Sequence, residues 1–349
     1  MPELRKDWIS GQWVAFSSER LRRPQVFSTP DTTTLDSEAD PFAEGNESFT
    51  PPEVYAVRPG GSAPNTPGWK VRVVPNRYPA LRVEGELLHR GDGIYDHISG
   101  VGAHEVVIES PHANCELESH SLHHFSMVLE TYRARTLDLM RDQRLRYLSV
   151  FKNSGQAAGA SQSHAHSQII ALPVVPSEAV RRITLCEEHY CNKERCLFDD
   201  VIAQEKRDAS RIVLENDAFV AVCPYASRFP FELRLIPKKK SCHYFSSTDR
   251  TLVQCAEMLK KILGAYRHGL NRPAYNLMIH TAPLPHRGGT LWPHIEKSYR
   301  WHIELFPRIF GIAGFELSTG CALNAVYPEE AARFLRQTIE NLPEEKSHE

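Results

Sequence analysis

The chain has 349 residues, with 41 Lys and Arg against 43 Asp and Glu, for a formal net charge of −2. Near-neutrality without a long basic run argues against a nucleic-acid partner held through its phosphates. Charged residues at 24% and hydrophobic residues at 41% give the composition of a soluble globular protein, and the length allows one large domain or two.

The opening segment, MPELRKDWISGQWVAFSSERLRRP, lacks the apolar core of a signal peptide. No apolar run is long enough to span a bilayer, so no membrane association is expected. The cysteines, Cys115, Cys186, Cys191, Cys196, Cys223, Cys242, Cys255 and Cys321, form no small-scaffold framework. Reduced thiols and a cytoplasmic location are therefore expected. Residues 104–110, HEVVIES, read as a strand. The stretch 123–143 has helical spacing, and YLSVFKNSG (147–155) and HAHSQIIALP (164–173) read as two further strands. From 231 the order recurs: FELRLIP as a strand, 251–270 as a helix, then YNLMIHTAP and YRWHIELFP as strands. We expect an α+β fold made of a duplicated unit, with antiparallel sheets and flanking helices. The first half spans 1–173, a connection 174–195, the second half 196–341, and 342–349 form a charged, mobile tail.

The two copies can be laid over each other residue by residue. His112 then falls on Lys240, while His164, His166 and Gln168 fall on Arg300, His302 and Glu304. Upstream, Asp40 falls on Cys196 and Ala43 on Asp199.

The stretch SGQAAGASQSHAHSQIIALP (154–173) concentrates the chemistry. In a strand, residues two apart share a face, so His164, His166 and Gln168 point one way and Ala165 and Ser167 the other. Gly155 and Gly159 lie in a loop of small residues through which a ligand can approach backbone N–H groups. Three readings fit: a solvated strand face, a metal pair needing further ligands, or a nucleophilic histidine beside a phosphate cradle. The small-residue loop and the uncharged amide of Gln168 favour the third.

Five blocks in order, RLRRP (20–24), GNESFTPPEVYAVR (45–58), VRVVPNRYPAL (71–81), NSGQAAGASQSHAHSQ (153–168) and GFELSTG (314–320), resemble the galactose-1-phosphate uridylyltransferase branch of the histidine-triad superfamily. The resemblance implies two tandem histidine-triad-like units, which agrees with the repeat. It also implies a double displacement. His166 attacks the α-phosphorus of a nucleotide sugar, sugar 1-phosphate leaves, and the nucleotide passes from His166 to a second phosphate acceptor. By the same resemblance Gln168 stabilises charge on the phosphoryl group. Asn153, Gly159 and Ser161 lie near the phosphates, Asn76 at the nucleoside, Arg20 and Arg23 on phosphate, and Phe315 and Glu316 on a sugar-binding strand. A homodimer with shared sites is implied too.

Members of this family often carry structural zinc. At the matching positions this chain has Asp40, Ala43, His112 and His164, so Asp40, His112 and His164 remain as an incomplete ligand set. Either zinc with three protein ligands or a metal-free contact between Asp40 and a histidine fits. In the second half the positions read Cys196, Asp199, Lys240 and Arg300. Because protonated Lys and Arg cannot be ligands, an ion-pair cluster is expected in place of a second zinc. The loose group of Cys186, His189, Cys191 and Cys196 has no standard metal spacing.

The leading functional expectation is a UDP-glucose–hexose-1-phosphate uridylyltransferase of galactose metabolism. The alternatives are an ADP-glucose phosphorylase or adenylyltransferase, and a nucleotide-binding homologue without catalysis.

Overall fold

The computed structural model describes residues 2–17, 19, 40–113, 115–285 and 291–343. Arg20, Arg23 and the end of the tail lie outside the described residues. In chain order the strands β1 (Glu3–Lys6) and β2 (Trp13–Phe16) are followed by β3 (Tyr55–Val57), β4 (Val71–Pro75) and an exposed ribbon of β5 (His89–Asp92) and β6 (Tyr95–Ile98). Then come β7 (Ala103–Ile108), α1 (Leu122–Leu139), β8 (Tyr147–Ser154) and β9 (His166–Leu172). The connecting stretch is largely helical, as α2 (Ser177–Lys193), and leads to α3 (Leu197–Asp208), β10 (Ile212–Glu215) and β11 (Phe219–Val222). The pattern of β7 to β9 returns in β12 (Leu233–Pro237), α4 (Asp249–Gly269), β13 (Tyr275–His280), α5 (Ile295–Ser298) and β14 (His302–Pro307). Helix α6 (Gly314–Thr319), β15 (Ala322–Asn324) and α7 (Pro328–Glu340) close the described chain.

Ten strands form one sheet in the order β10-β11-β12-β14-β13-β8-β9-β7-β4-β3. Outward from the central β8–β13 pair the two sides run alike, β8-β9-β7-β4-β3 against β13-β14-β12-β11-β10. Every pairing in this sheet is antiparallel. A small second sheet, β1-β2-β15, contains one parallel pair.

Alternate residues of each strand enter different cores, as the two-residue period requires. One face, with Val107, Val150, Ile169, Leu277, Ile303 and Leu305, packs under α1 and α4, which also pack on each other. Each fully buried side chain of this size contributes roughly 1.5–3 kcal/mol. The two helices start on side-chain caps: Ser121 Oγ accepts from the His124 N–H (3.2 Å) and Thr248 Oγ1 from the Thr251 N–H (3.2 Å). Such a cap contributes about 1 kcal/mol.

The opposite face differs between the halves. Over the second half, α2 and α3 bury Val220, Val222 and Ile236 beneath Ile183 and Phe198. Over the first half lies a smaller cluster of Trp69, Val74, Val106 and Ile108, with Phe42 against it. This second face of β9 carries His166 and Gln168. Among the described residues no helix is long and apolar enough to cross a membrane.

Candidate active site

Strand β9 begins at His166, so His164 stands just outside it, in the approach to the strand. His166 and Gln168 do share a face, paired to Ile108 and Val106 of β7. The His166 ring is 6% exposed. Its Nδ1–H donates to the carbonyl of His164 at 2.8 Å. A donor at Nδ1 leaves Nε2 with the lone pair, and no described residue engages that nitrogen. The edge of the Phe42 ring lies 5.4 Å away, centroid to centroid. Burial pushes the ring's pKa below its ordinary value. The His164 carbonyl opposes that shift, and the Lys152 charge adds to it. His166 is thus a neutral imidazole with a fixed tautomer and one open nucleophilic nitrogen, the form that attacks phosphorus.

Gln168 is oriented by a residue that the sequence motif does not include, His104 of β7. The Ala80 N–H donates to His104 Nδ1 at 3.2 Å, which puts the ring proton on Nε2. That Nε2–H donates to Gln168 Oε1 at 2.8 Å. With its oxygen occupied, the Gln168 amide is left to present N–H donors, the polarity required to receive a phosphoryl oxygen. Asn76, just after β4, stands beside this pair: its Oδ1 accepts from the Tyr78 N–H at 2.8 Å, and its Nδ2 lies 3.2 Å from His104 Nε2 without bonding to it, since both are donors.

The loop between β8 and β9 is bent by its glycines. Gly155 has φ 82° and ψ 154°, a conformation essentially confined to glycine, and a Cβ there would come 2.8 Å from that of Ala274. Gly159 has φ 91°, and the Asn153 amide nitrogen lies 3.7 Å from where its Cβ would be. Asn276 of β13 donates to Asn153 Oδ1 (2.8 Å) and to the carbonyl of Ala158 (2.9 Å). The second half thereby fixes the loop and turns the Asn153 amide N–H groups free. Ser161 sits exposed on the same loop.

Behind β9, on the helix side, Lys152 donates to Glu109 Oε2 at 2.8 Å and to the His166 carbonyl at 3.3 Å. Glu109 also accepts from Ser167, whose hydroxyl meets that of Tyr132 at 2.6 Å. All four side chains are buried. The network anchors the strand that carries His166. Its sequence signal was the presence of charges, Glu109 and Lys152, inside apolar strand runs.

Of the two alternatives at Asp40, His112 and His164, a zinc with three protein ligands fits the residues poorly. His164 Nδ1 lies 2.6 Å from Asp40 Oδ2 and its Nε2 lies 2.8 Å from the Ser110 carbonyl oxygen. Both nitrogens therefore face oxygen acceptors, and a metal ligand must instead present a lone pair. His112 is exposed, and the three do not bring ligand atoms together as the groups Glu187–Cys191–His294 and His280–His302–Glu304 do. Ala43 has no donor to complete a four-ligand shell. The arrangement is the metal-free contact between Asp40 and a histidine, which packs beneath Phe42.

In the second half Asp199 accepts from Lys240 (2.9 Å) and from Arg300, while Cys196 Sγ donates to the Ser298 carbonyl. His302 copies the tether of His166, with Nδ1–H donating to the carbonyl of Arg300 at 3.1 Å. Glu304 stands where the first half has Gln168. It accepts from Arg182 (2.8 Å), Arg228 (2.8 Å), Arg234 (2.9 Å) and His280 (3.1 Å). Burial alone would raise its pKa, but Arg182, Arg228, His280 and Arg234 outweigh burial and hold the carboxylate well below its usual range. With three guanidinium groups already on Glu304, the His280–His302–Glu304 trio offers no place for a further cation.

The sugar strand expected at Phe315 and Glu316 is a short helix, α6. Gly320 ends it with φ 68°, and the Glu316 carboxylate accepts from the Ala313 N–H at its start (3.1 Å). Glu316 thus caps its own helix, and Phe315 is exposed. Among the described residues of one chain, the hydrogen bonds of Phe315 and Glu316 stay within their own helix and do not reach the His166 network.

Comparison with known proteins agrees with this geometry. Residues 1–176 match the model of the galactose-1-phosphate uridyl transferase N-terminal domain, and residues 157–349 match that of the C-terminal domain. The chain is 35% identical over 340 residues to ADP-glucose phosphorylase of Arabidopsis thaliana, covering 96% of this chain and 93% of that protein. It is 26% identical over 346 residues to galactose-1-phosphate uridylyltransferase of Thermotoga maritima, covering 97% and 99%. The crystal structure of the Arabidopsis thaliana ADP-glucose phosphorylase with bound ADP-glucose superimposes with a TM-score of 0.81 at 33% identity, covering 97% of this chain and 98% of that one. A buried, tautomer-locked histidine beside an oriented glutamine, on a duplicated fold matched along its whole length, places this chain in the galactose-1-phosphate uridyl transferase family, as a nucleotidyltransferase.

Proposed function

We propose that the chain transfers a nucleotidyl group through a covalent bond to His166, with ADP-glucose and inorganic phosphate as its substrate pair. The observation that carries the covalent step is the open Nε2 of His166, its Nδ1–H tethered to the His164 carbonyl. Nε2 attacks the α-phosphorus, and the bond to the bridging oxygen breaks. Glucose 1-phosphate leaves with the electron pair, and adenylyl-His166 remains. A phosphate oxygen then attacks the same phosphorus, releases His166 and forms ADP. The Gln168 N–H groups, held outward by His104, receive the phosphoryl oxygens in both steps. Asn153 and Gly159 border the phosphates, and Asn76 the nucleoside.

The adenylyl assignment rests on the greater identity to ADP-glucose phosphorylase, 35% against 26% for the uridylyltransferase. The second reading, UDP-glucose with a hexose 1-phosphate, rests on the family models. Both share the ping-pong course. This reading places the enzyme in the cytoplasm as a homodimer in which Arg20, Arg23, Phe315 or Glu316 can serve the partner's site. Initial rates with the two substrate pairs decide between them. A kcat/KM at least tenfold higher for ADP-glucose and phosphate, about 1.4 kcal/mol, supports the adenylyl reading. The reverse ratio moves the assignment to uridylyl transfer.

A further inference from the structure

We propose that Glu187, Cys191 and His294 form a binding site for a zinc-class divalent cation, away from the His166 site. Glu187 and Cys191 lie four residues apart on α2 and so share one face of the helix. His294 comes from the segment that precedes α5, and α2 and α5 pack together. One ligand atom from each of the three lies within 4.8 Å of the other two. Of the three cysteines in the loose group Cys186, His189, Cys191 and Cys196, only Cys191 is exposed. Cys186 and Cys196 are buried, and His189 is committed to Asp200 at 2.9 Å.

The donor set has the chemistry of zinc: one thiolate, one imidazole and one carboxylate, whose two negative charges balance a divalent ion. Glu187 is already held for the task. Its Oε1 accepts from the His294 backbone N–H at 2.8 Å, and its Oε2 from the Ser298 hydroxyl at 2.7 Å. His294 Nδ1 lies 3.0 Å from Glu187 Oε1 and 4.0 Å from Cys191 Sγ. Trp292 Nε1–H donates to Thr184 Oγ1 at 3.0 Å and pins the segment to the helix. A cleft of about 450 Å³ lined by Glu187 and Cys191 together with Thr184, Glu188, Asn192 and Trp292 leaves room for water as a fourth ligand.

Binding replaces the His294–Glu187 hydrogen bond by two metal bonds. The His294 ring proton passes through solvent from Nδ1 to Nε2, which frees the Nδ1 lone pair, and Cys191 gives its thiol proton to solvent, a net one proton per ion. The ion ties α2 to the segment leading into β14.

Titration of the full chain, stripped of metal, with cobalt(II) tests the proposal. The wild type is expected to show a sulfur-to-cobalt charge-transfer band that saturates at one ion per chain. Cys191→Ser should lose the band, and His294→Ala should weaken binding at least tenfold. The double variant Asp40→Asn, His112→Ala should keep both band and affinity. Zinc should raise the melting temperature of the wild type more than that of Cys191→Ser. A wild type without the band, or a band that persists in Cys191→Ser, would overturn the assignment.

Discussion

Strands β9 and β14 carry the same device with different outcomes. In each, a buried histidine, His166 or His302, donates Nδ1–H to the carbonyl two residues earlier and meets a phenylalanine ring, Phe42 or Phe198. Two positions on, the first half has Gln168, uncharged and turned outward by His104. The second has Glu304, closed in by Arg182 from α2 and by Arg228 and Arg234. His302 is fully buried, its Nε2 without a partner and 4.0 Å from Glu304, whereas Nε2 of His166 stands open. Tautomer control thus comes with the repeated fold. Chemistry depends on what the free nitrogen faces, and a carboxylate there would repel a phosphate.

The widest separation of the halves comes from removing each histidine in turn. His166→Ala is expected to lower kcat/KM by at least about 10⁴-fold, roughly 5.5 kcal/mol, while His302→Ala keeps turnover and alters stability. Steady-state kinetics on both variants check this. If His302→Ala were equally inactive while folded, the second half would share the chemistry.

Next in size is Glu304→Gln, which mimics Gln168 inside the sealed half. It leaves Arg182, Arg228 and Arg234 short of a counter-charge, and loss of a buried ionic partner costs about 3–5 kcal/mol. Denaturant unfolding should show that loss. An unchanged midpoint would mean that the network relaxes without penalty. Gln168→Ala in the open half should instead lower kcat by about 10²–10³-fold with little change in unfolding.

Much of this contrast was legible in the sequence, for reasons of spacing. The two-residue period put His166 and Gln168 on one face. Overlaying the repeat brought Asp199, Lys240 and Arg300 to common positions, and the three meet. His104 and Asn276 escaped notice because their roles depend on which strands are neighbours, which no local pattern states. His104 reaches Gln168 across the β7–β9 pair, and Asn276 reaches Asn153 across the β8–β13 pair. The sealing by α2 was hidden in the same way, since Arg182 reads as one charge among many in an amphipathic helix. At GFELSTG the resemblance implied a strand. Local capping by Glu316 and the left-handed Gly320 settled that stretch as a helix.

His104→Phe sharpens the account of the open half. It keeps the ring volume but removes the proton donated to Gln168, and should lower kcat by about tenfold, roughly 1.4 kcal/mol. KM should change less, because binding contacts elsewhere remain. A loss confined to KM would make His104 a binding residue instead.

The smallest expected effect is in pH dependence. In the proposed mechanism the neutral His166 ring is the attacking form, and burial lowers its pKa. Activity is therefore retained as the pH falls past the ordinary histidine value of about 6.5, and is lost only below it, as the ring gains its second proton. The acid limb of kcat/KM reads this directly, and a limb at or above that value would contradict the assigned environment.

The most direct test is to locate the covalent nucleotide. The wild-type enzyme is exposed briefly to nucleotide sugar without acceptor, quenched, digested and mapped by mass spectrometry. The account predicts one nucleotidyl group per chain, on His166, also present in His302→Ala and absent from His166→Ala. A nucleotide on any other residue, or turnover by the wild type with no adduct trapped, would contradict it.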